Sequence, residues 1–201
     1  MSFGALATRD GIGMTPLEFF TWLSETSWSV DLHESEIAYS IIESVHVWTL
    51  CVFFGLMMMV DLRLLGWTMR AVPVSEVLDR VLPWAIAGFV VMVISGLLLV
   101  LAIPLRSYQN LFFRGKMIML VAAGLNAWAF HYRVYPKIAG KIVDGIPPKA
   151  VRIAGATSLA LWVAIVFCGR MIAYNWFDCD RQPQPAIINF LTSCVAAPSV
   201  Y

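Results

Sequence analysis

An all-α, integral membrane four-helix bundle is what this sequence predicts, and three observations carry that expectation. Four apolar stretches approach or reach the roughly 20 residues that cross a bilayer. Of the 201 residues, 60% are hydrophobic and 13% charged, and mean hydropathy is +0.76, against roughly half apolar and a quarter charged in a soluble domain. Basic residues concentrate in the connections after the first and third stretches.

From the N-terminus, Met1 to Gly13 has neither a basic start nor a short apolar core with a small-residue cleavage site, so insertion is expected to begin from a retained helix. Thr15-Pro16-Leu17-Glu18 then has the capping-box spacing with proline at the first helical position, followed by Phe19, Phe20, Trp22, Leu23 and Trp28. This predicts a short helix lying in the outer interface. Asp31-x-x-Glu34 is read as the start of the first spanning helix, which leaves His33 near the outer surface.

The spans are expected at about Ile37 to Val60, Leu82 to Ile103, Met117 to Val134 and Val151 to Tyr174. Asp144-Gly145 marks a turn, and Pro147-Pro148 suits the opening of the fourth span, because proline fits a helix's first turn and not its interior. Arg63, Arg70, Arg80, Arg133, Lys137, Lys141, Lys149 and Arg152 fall on one side, against Arg9, Arg106, Arg114, Lys116, Arg170 and Arg181 on the other, a count of 8 to 6. The positive-inside rule assigns the first group to the cytoplasm. The expectation is therefore a multi-pass protein of the bacterial inner membrane with both termini periplasmic. Residues 1–35 would form an outer segment with the interfacial helix, 36–175 the bundle and 176–201 a periplasmic tail. Small residues at Ala123-Gly124 with Ala127, and at Gly155 to Ser158, mark places where helices can approach closely.

Cys179 and Cys194 fall in the outer tail, where an oxidising compartment favours a bridge contributing about 3 kcal/mol. Cys51 and Cys168 lie within spans and read as small packing residues. A net charge of +1 gives no basic face for nucleic acid. Gly-rich phosphate loops, Gly-x-Ser-x-Gly elbows, His-Glu-x-x-His and Cys-x-x-Cys pairs do not occur. Redox chemistry would need a bound cofactor.

Ionisable groups inside hydrocarbon single out Glu43, His46 and His131. Glu43 is three residues before His46, the spacing at which a carboxylate can fix an imidazole tautomer. A neutral imidazole in such a bundle is the usual ligand for haem b, and Trp48, Phe53, Phe54, Trp84, Phe89, Trp128, Phe130 and Trp162 are available to wall a porphyrin. The simplest arrangement pairs His46 with His131 as axial ligands. Counting at about 1.5 Å per residue offsets the two by about 9 Å in depth, which does not favour sharing. Arg106, Arg114, Lys116 and Arg170 form an expected basic rim near Glu43, suited to propionates, a quinone carbonyl or lipid headgroups. Asp61-Leu62-Arg63 and His131-Tyr132-Arg133 end their helices at similar depth and are expected to clamp the bundle through salt bridges. Copper conduction would need Met57, Met58 and Met59 on one path, yet successive helical residues point about 100° apart.

His46, Gly55 and Asp61-Leu62-Arg63-Leu64-Leu65-Gly66, with Pro83-Trp84, Gly88, Gly96, Lys116, Leu125-Asn126, His131, Trp162, Gly169-Arg170 and Ala173-Tyr174, resemble an uncharacterised family of small four-helix bacterial inner-membrane proteins. The resemblance covers about residues 36–175 and implies the fold, with no activity to carry over. More remotely the chain looks like four-helix membrane cytochromes b and copper-resistance membrane proteins. Two functions are expected in competition. One is a redox subunit binding haem b, with quinone as a second candidate ligand, that carries electrons between a periplasmic partner and the quinone pool. The other is a non-catalytic subunit that anchors or assembles a larger membrane complex; copper transport is a third, weaker reading.

Overall fold

The computed structural model describes residues 14–138, 147–174, 176–177, 179 and 184–194, and these are helical with no strand among them. The turn expected at Asp144-Gly145 lies outside the described residues.

Helix α1 (Pro16–Ser24) opens on the expected capping box: Thr15 Oγ1 accepts from the Glu18 N–H at 3.3 Å, and Glu18 Oε2 accepts from the Thr15 N–H at 2.8 Å. A break at Glu25 and Thr26 separates it from α2 (Ser27–Glu34), so two short helices stand where one was expected. Asp31 lies inside α2 and does not cap the first span. Ser35 caps it, its hydroxyl accepting from the Ala38 N–H at 3.3 Å. Helix α3 (Glu36–Leu65) runs for 30 residues and stops at Gly66, whose φ of 75° only glycine adopts without strain. The Trp67 N–H bonds back to the Leu62 carbonyl at 3.0 Å, closing a Schellman turn.

Helix α4 (Val74–Ala102) begins eight residues before the expected Leu82, because Glu76, Asp79 and Arg80 interrupt the apolar run without interrupting the helix. The Glu76–Arg80 pair, 2.7 Å apart at i and i+4, supports that first stretch. Short α5 (Pro104–Tyr108) leads to Asn110, whose Oδ1 accepts from the Phe113 N–H at 3.1 Å and caps α6 (Leu111–Ala129). The cap starts α6 six residues before the expected Met117, drawing Arg114 and Lys116 into the helix. A π-helical stretch (Phe130–Val134) and α7 (Tyr135–Ile138) follow. Pro148 caps α8 (Lys149–Ile172), as its ring predicts, and α9 (Ala186–Thr192) lies in the tail.

Helices α3, α4 and α8 are long and apolar enough to cross a membrane, whereas α6, at 19 residues with two basic side chains, is not among them. Only 17 to 33% of their most apolar windows is buried inside the protein. The remainder, with Ile37, Trp48, Trp84 and Phe167 exposed, is surface that water would penalise and lipid would not. The long helices pack in the order α4, α3, α8, α6. One core gathers Val60, Leu64, Val77, Val81 and Val151 near the α3–α4 turn, and a second gathers Phe53, Ala85, Met92, Ala123, Trp162 and Ile165 further along.

Gly155 sets the α3–α8 crossing: a Cβ there would stand 2.7 Å from Leu64 Cβ and 3.1 Å from the Asp61 carbonyl oxygen. The other predicted approach, Gly124, faces open space, while neighbouring Ala123 is buried. Asp61 and Arg63 are buried beside the crossing, at 1% and 0% exposure. Ser158 of α8 hydrogen-bonds the Asp61 carboxyl, and Arg63 Nε donates to the Val72 carbonyl at 2.7 Å, holding the α3–α4 turn. The expected clamp to residues 131–133 is not formed. His131 is exposed and stacks on Tyr135 at 6.0 Å, and Arg133 lies over Trp128, because the π-helical stretch turns these side chains outward.

At the opposite end, α1 packs on α5 with Phe20 stacked on Tyr108 at 4.8 Å. Cys179 and Cys194 form the expected disulfide, and Arg114 donates to the Leu191 and Thr192 carbonyls and to Ser193 Oγ, fastening the tail to α6.

Candidate functional site

His46 sits on α3 facing α4, half-buried, with Nδ1 3.0 Å from Ser95 Oγ. Gly96 makes room for the ring, since a Cβ there would stand 3.1 Å from Cε1. Ser95 Oγ also lies 2.8 Å from the Val91 carbonyl and 3.1 Å from the Met92 carbonyl, two acceptors that claim its single hydrogen. The Met92 carbonyl is a further acceptor beside the imidazole. The hydrogen-bond network therefore assigns Nδ1 as the protonated nitrogen, donating to the serine oxygen, and leaves a lone pair on Nε2. Among the described residues nothing hydrogen-bonds to Nε2.

Lys116 of α6 brings its ammonium within electrostatic reach of both the His46 ring and the Cys168 thiol of α8. Gly169 gives it space, a Cβ there standing 3.7 Å from Nζ. No anion pairs with Lys116 among the described residues. A lone-pair acceptor on α3 and a cation on α6 thus lie within electrostatic reach of one another, in a stretch of the molecule that is otherwise apolar.

Of the residues singled out in the sequence, Lys116 is felt by His46, and Glu43 and Arg106 are both felt by Tyr39. Glu43 is exposed, makes no bond to His46, and is felt instead by Tyr39. Ser95 takes the place expected of Glu43 because it faces His46 from the neighbouring helix. Arg114 serves the tail and lies over Tyr108 at 4.3 Å, and Arg170 lies over Tyr174 at 5.1 Å. His131 cannot share a ligand with His46. Its neighbour Phe130 packs on the core built from Val60 and Leu64, and Val60 is about 21 Å beyond His46 along α3.

The expected porphyrin wall does not form either. Trp48, Trp84 and Trp128 face outward, while Phe53 and Trp162 pack edge to face at 4.6 Å and fill the interior. Met57 joins that core and Met58 and Met59 are exposed, so the three sulfurs do not line one path. No group of three metal-ligating His, Cys, Asp or Glu occurs among the described residues. Cys168 lies at the site, whereas Cys51 is exposed and not a core packing residue. Ser95 was missed in the sequence, although a serine in the middle of an apolar span is the signal that could have found it.

No curated protein and no solved structure matches the chain. A family model, described as a family of unknown function, DUF6644, matches residues 19–175. That span contains every residue of the His46 site and all four long helices, and the chain belongs to this family.

Proposed function

We propose that this chain is a membrane-embedded redox subunit, with both termini on the outer face of the bacterial inner membrane, passing electrons between an outer-side partner and the quinone pool. His46 is the residue that faces the redox ligand. The observation that carries this reading is the imidazole held by Ser95 in one tautomer, with its Nε2 lone pair unengaged beside Lys116. Second-shell bonds of this kind orient a ligand histidine, and an ionisable group within a span is costly unless it is used.

A bis-histidine haem b does not fit inside this chain, since His131 is distant and Phe53 and Trp162 occupy the interior. The donor set does fit a haem that takes one axial imidazole, His46, from this chain, and such a haem would supply one-electron transfer. It equally fits the hydroxyl of a quinol. The test is a dithionite-reduced minus oxidised spectrum of gently purified protein, with haem and extractable quinone each quantified against protein. About one redox group per chain, lost in His46→Ala with the fold retained, supports the proposal; neither group at any stoichiometry overturns it.

An anchoring or assembly subunit is the second reading, favoured by the outer tail. Helix α9 exposes Ile187 and Phe190, at 67% and 83%, on a segment fastened by Arg114 and a disulfide. Such an apolar face on a tethered helix suits a protein or lipid partner. Co-purified subunits lost on deletion of 184–201, in protein without a redox group, would support it.

A further inference from the structure

Independently of His46, we infer that the cavity at the α1–α5 end of the molecule holds the head of a zwitterionic phospholipid carrying a primary ammonium, with an acyl chain laid in the groove between α3 and α4. The cavity measures 460 Å³, a volume within the range of ligand sites. Its walls are the ends of α1, α2 and α4 together with α5, and Cys179 of the disulfide stands beside it.

Charges of both signs line this cavity. Glu34 of α2 and Arg106 of α5 both face it, yet the ion pair formed among the described residues is Glu76–Arg80, so the carboxylate and the guanidinium do not close on each other across the space. Ser29 lines the same cavity at 3% exposure, and its hydroxyl makes no hydrogen bond among the described residues. A buried hydroxyl of that kind is a polar demand that a ligand can meet. A lone anion would suit Arg106 and be repelled by Glu34, and a lone cation the reverse. A head with a phosphate and an ammonium answers both: its phosphate oxygens accept from Arg106, the Gln109 amide and the Ser29 hydroxyl, and its ammonium donates to Glu34.

Position makes the zwitterion a lipid and not a solute. The apolar run of α4 ends at the cavity, with Ala102 in its wall. A groove of 160 Å³ lies between α3 and α4, lined by Ser95 and otherwise by apolar side chains including Ile42, Val45 and Ile94. Val91, Ser95 and Leu98 of that groove, spaced by four and three residues, share one face of α4. Ala102 continues the same face one turn further, about 6 Å beyond Leu98. Cavity and groove therefore lie in line along two helices of membrane length, the polar site at the end of the span and the apolar one within it. That is the order of head and chain in a bilayer lipid.

The experiment is binding to the full chain in mild detergent, read by native mass spectrometry, of phosphatidylethanolamine and phosphatidylglycerol with the same acyl chains, and of free phosphoethanolamine. Wild type is expected to hold one phosphatidylethanolamine about tenfold more tightly than phosphatidylglycerol, the worth of one charge-assisted hydrogen bond. Glu34→Gln brings that ratio to about one. Glu34 is exposed and its carboxylate makes no hydrogen bond or ion pair among the described residues, so this variant keeps the fold. Arg106→Gln weakens both lipids, and Leu98→Trp, which fills the groove, weakens both and keeps the ratio. Equal affinities for the two lipids in wild type, or an unchanged ratio in Glu34→Gln, overturns the inference. Undiminished binding in Leu98→Trp, or free phosphoethanolamine held as tightly as the lipid, overturns it too, because the cavity would then serve a soluble zwitterion. None of these outcomes depends on which redox group is found at His46.

Discussion

Helix α3 carries two polar clusters, and they differ in how they meet their surroundings. Near the α3–α4 turn, Asp61 and Arg63 are sealed from outside, tied to Ser158 and to the Val72 carbonyl, and crossed by α8 at Gly155. One Asp61 oxygen lacks a hydrogen-bond partner among the described residues. Around His46 the polar groups are only half-buried, one nitrogen is anchored and the other is not, and a groove open to the apolar faces reaches Ser95. Polar groups sealed inside packed helices hold a fold together. An oriented donor or acceptor left vacant beside an accessible groove can hold a ligand instead. A cavity of 460 Å³ beside His33, Glu34 and Arg106 belongs to neither cluster.

The contrast can be broken experimentally. Arg63→Ala removes a fully buried side chain and strands the Val72 carbonyl, and is expected to lower stability by about 3 kcal/mol in detergent unfolding. The redox-group content of the fraction that remains folded should not change; a loss of stability below about 1 kcal/mol would mean the cluster near the turn is not structural. Gly155→Ala drives a Cβ to 2.7 Å from that of Leu64, which overpacking makes worth about 2 kcal/mol. A neutral result in thermal unfolding would show that α3 and α8 separate there without penalty.

Ser95→Ala sharpens the comparison from the other side. It removes the acceptor of His46 Nδ1 and is expected to change stability by about 1 kcal/mol or less. It should also lower the content of redox group per chain, because the imidazole is then no longer held in one orientation. If unfolding instead shifts as much as in Arg63→Ala, the His46–Ser95 contact belongs with the structural cluster.

Much of this architecture was legible in local signals. The Thr15 capping box, the helix opening at Pro147-Pro148 and the Cys179–Cys194 bridge depend on residues close in sequence or on few alternatives, and each stands as read. Helix starts were misplaced where charged residues sit on helical turns, as at Glu76 and Lys116, because an apolar-run reading mistakes the first turns of a helix for a loop. The site was half legible. His46 and Lys116 stood out as ionisable groups beside apolar runs, but the partner of His46 was sought on its own helix at Glu43 and stands across the interface at Ser95.

The sequence by itself determined that this is a helical protein with membrane-length apolar segments, because hydropathy and capping are local properties that survive any arrangement of the helices. Only the tertiary structure decided which polar residues meet. Helix order, rotation and depth place Ser95 and Gly96 against His46 and Gly169 against Lys116, and set Phe130, the neighbour of His131, on the core that includes Val60 and Leu64. Those three variables follow from packing between segments far apart in the chain, as at Gly155 against Leu64, and no window of neighbouring residues encodes them.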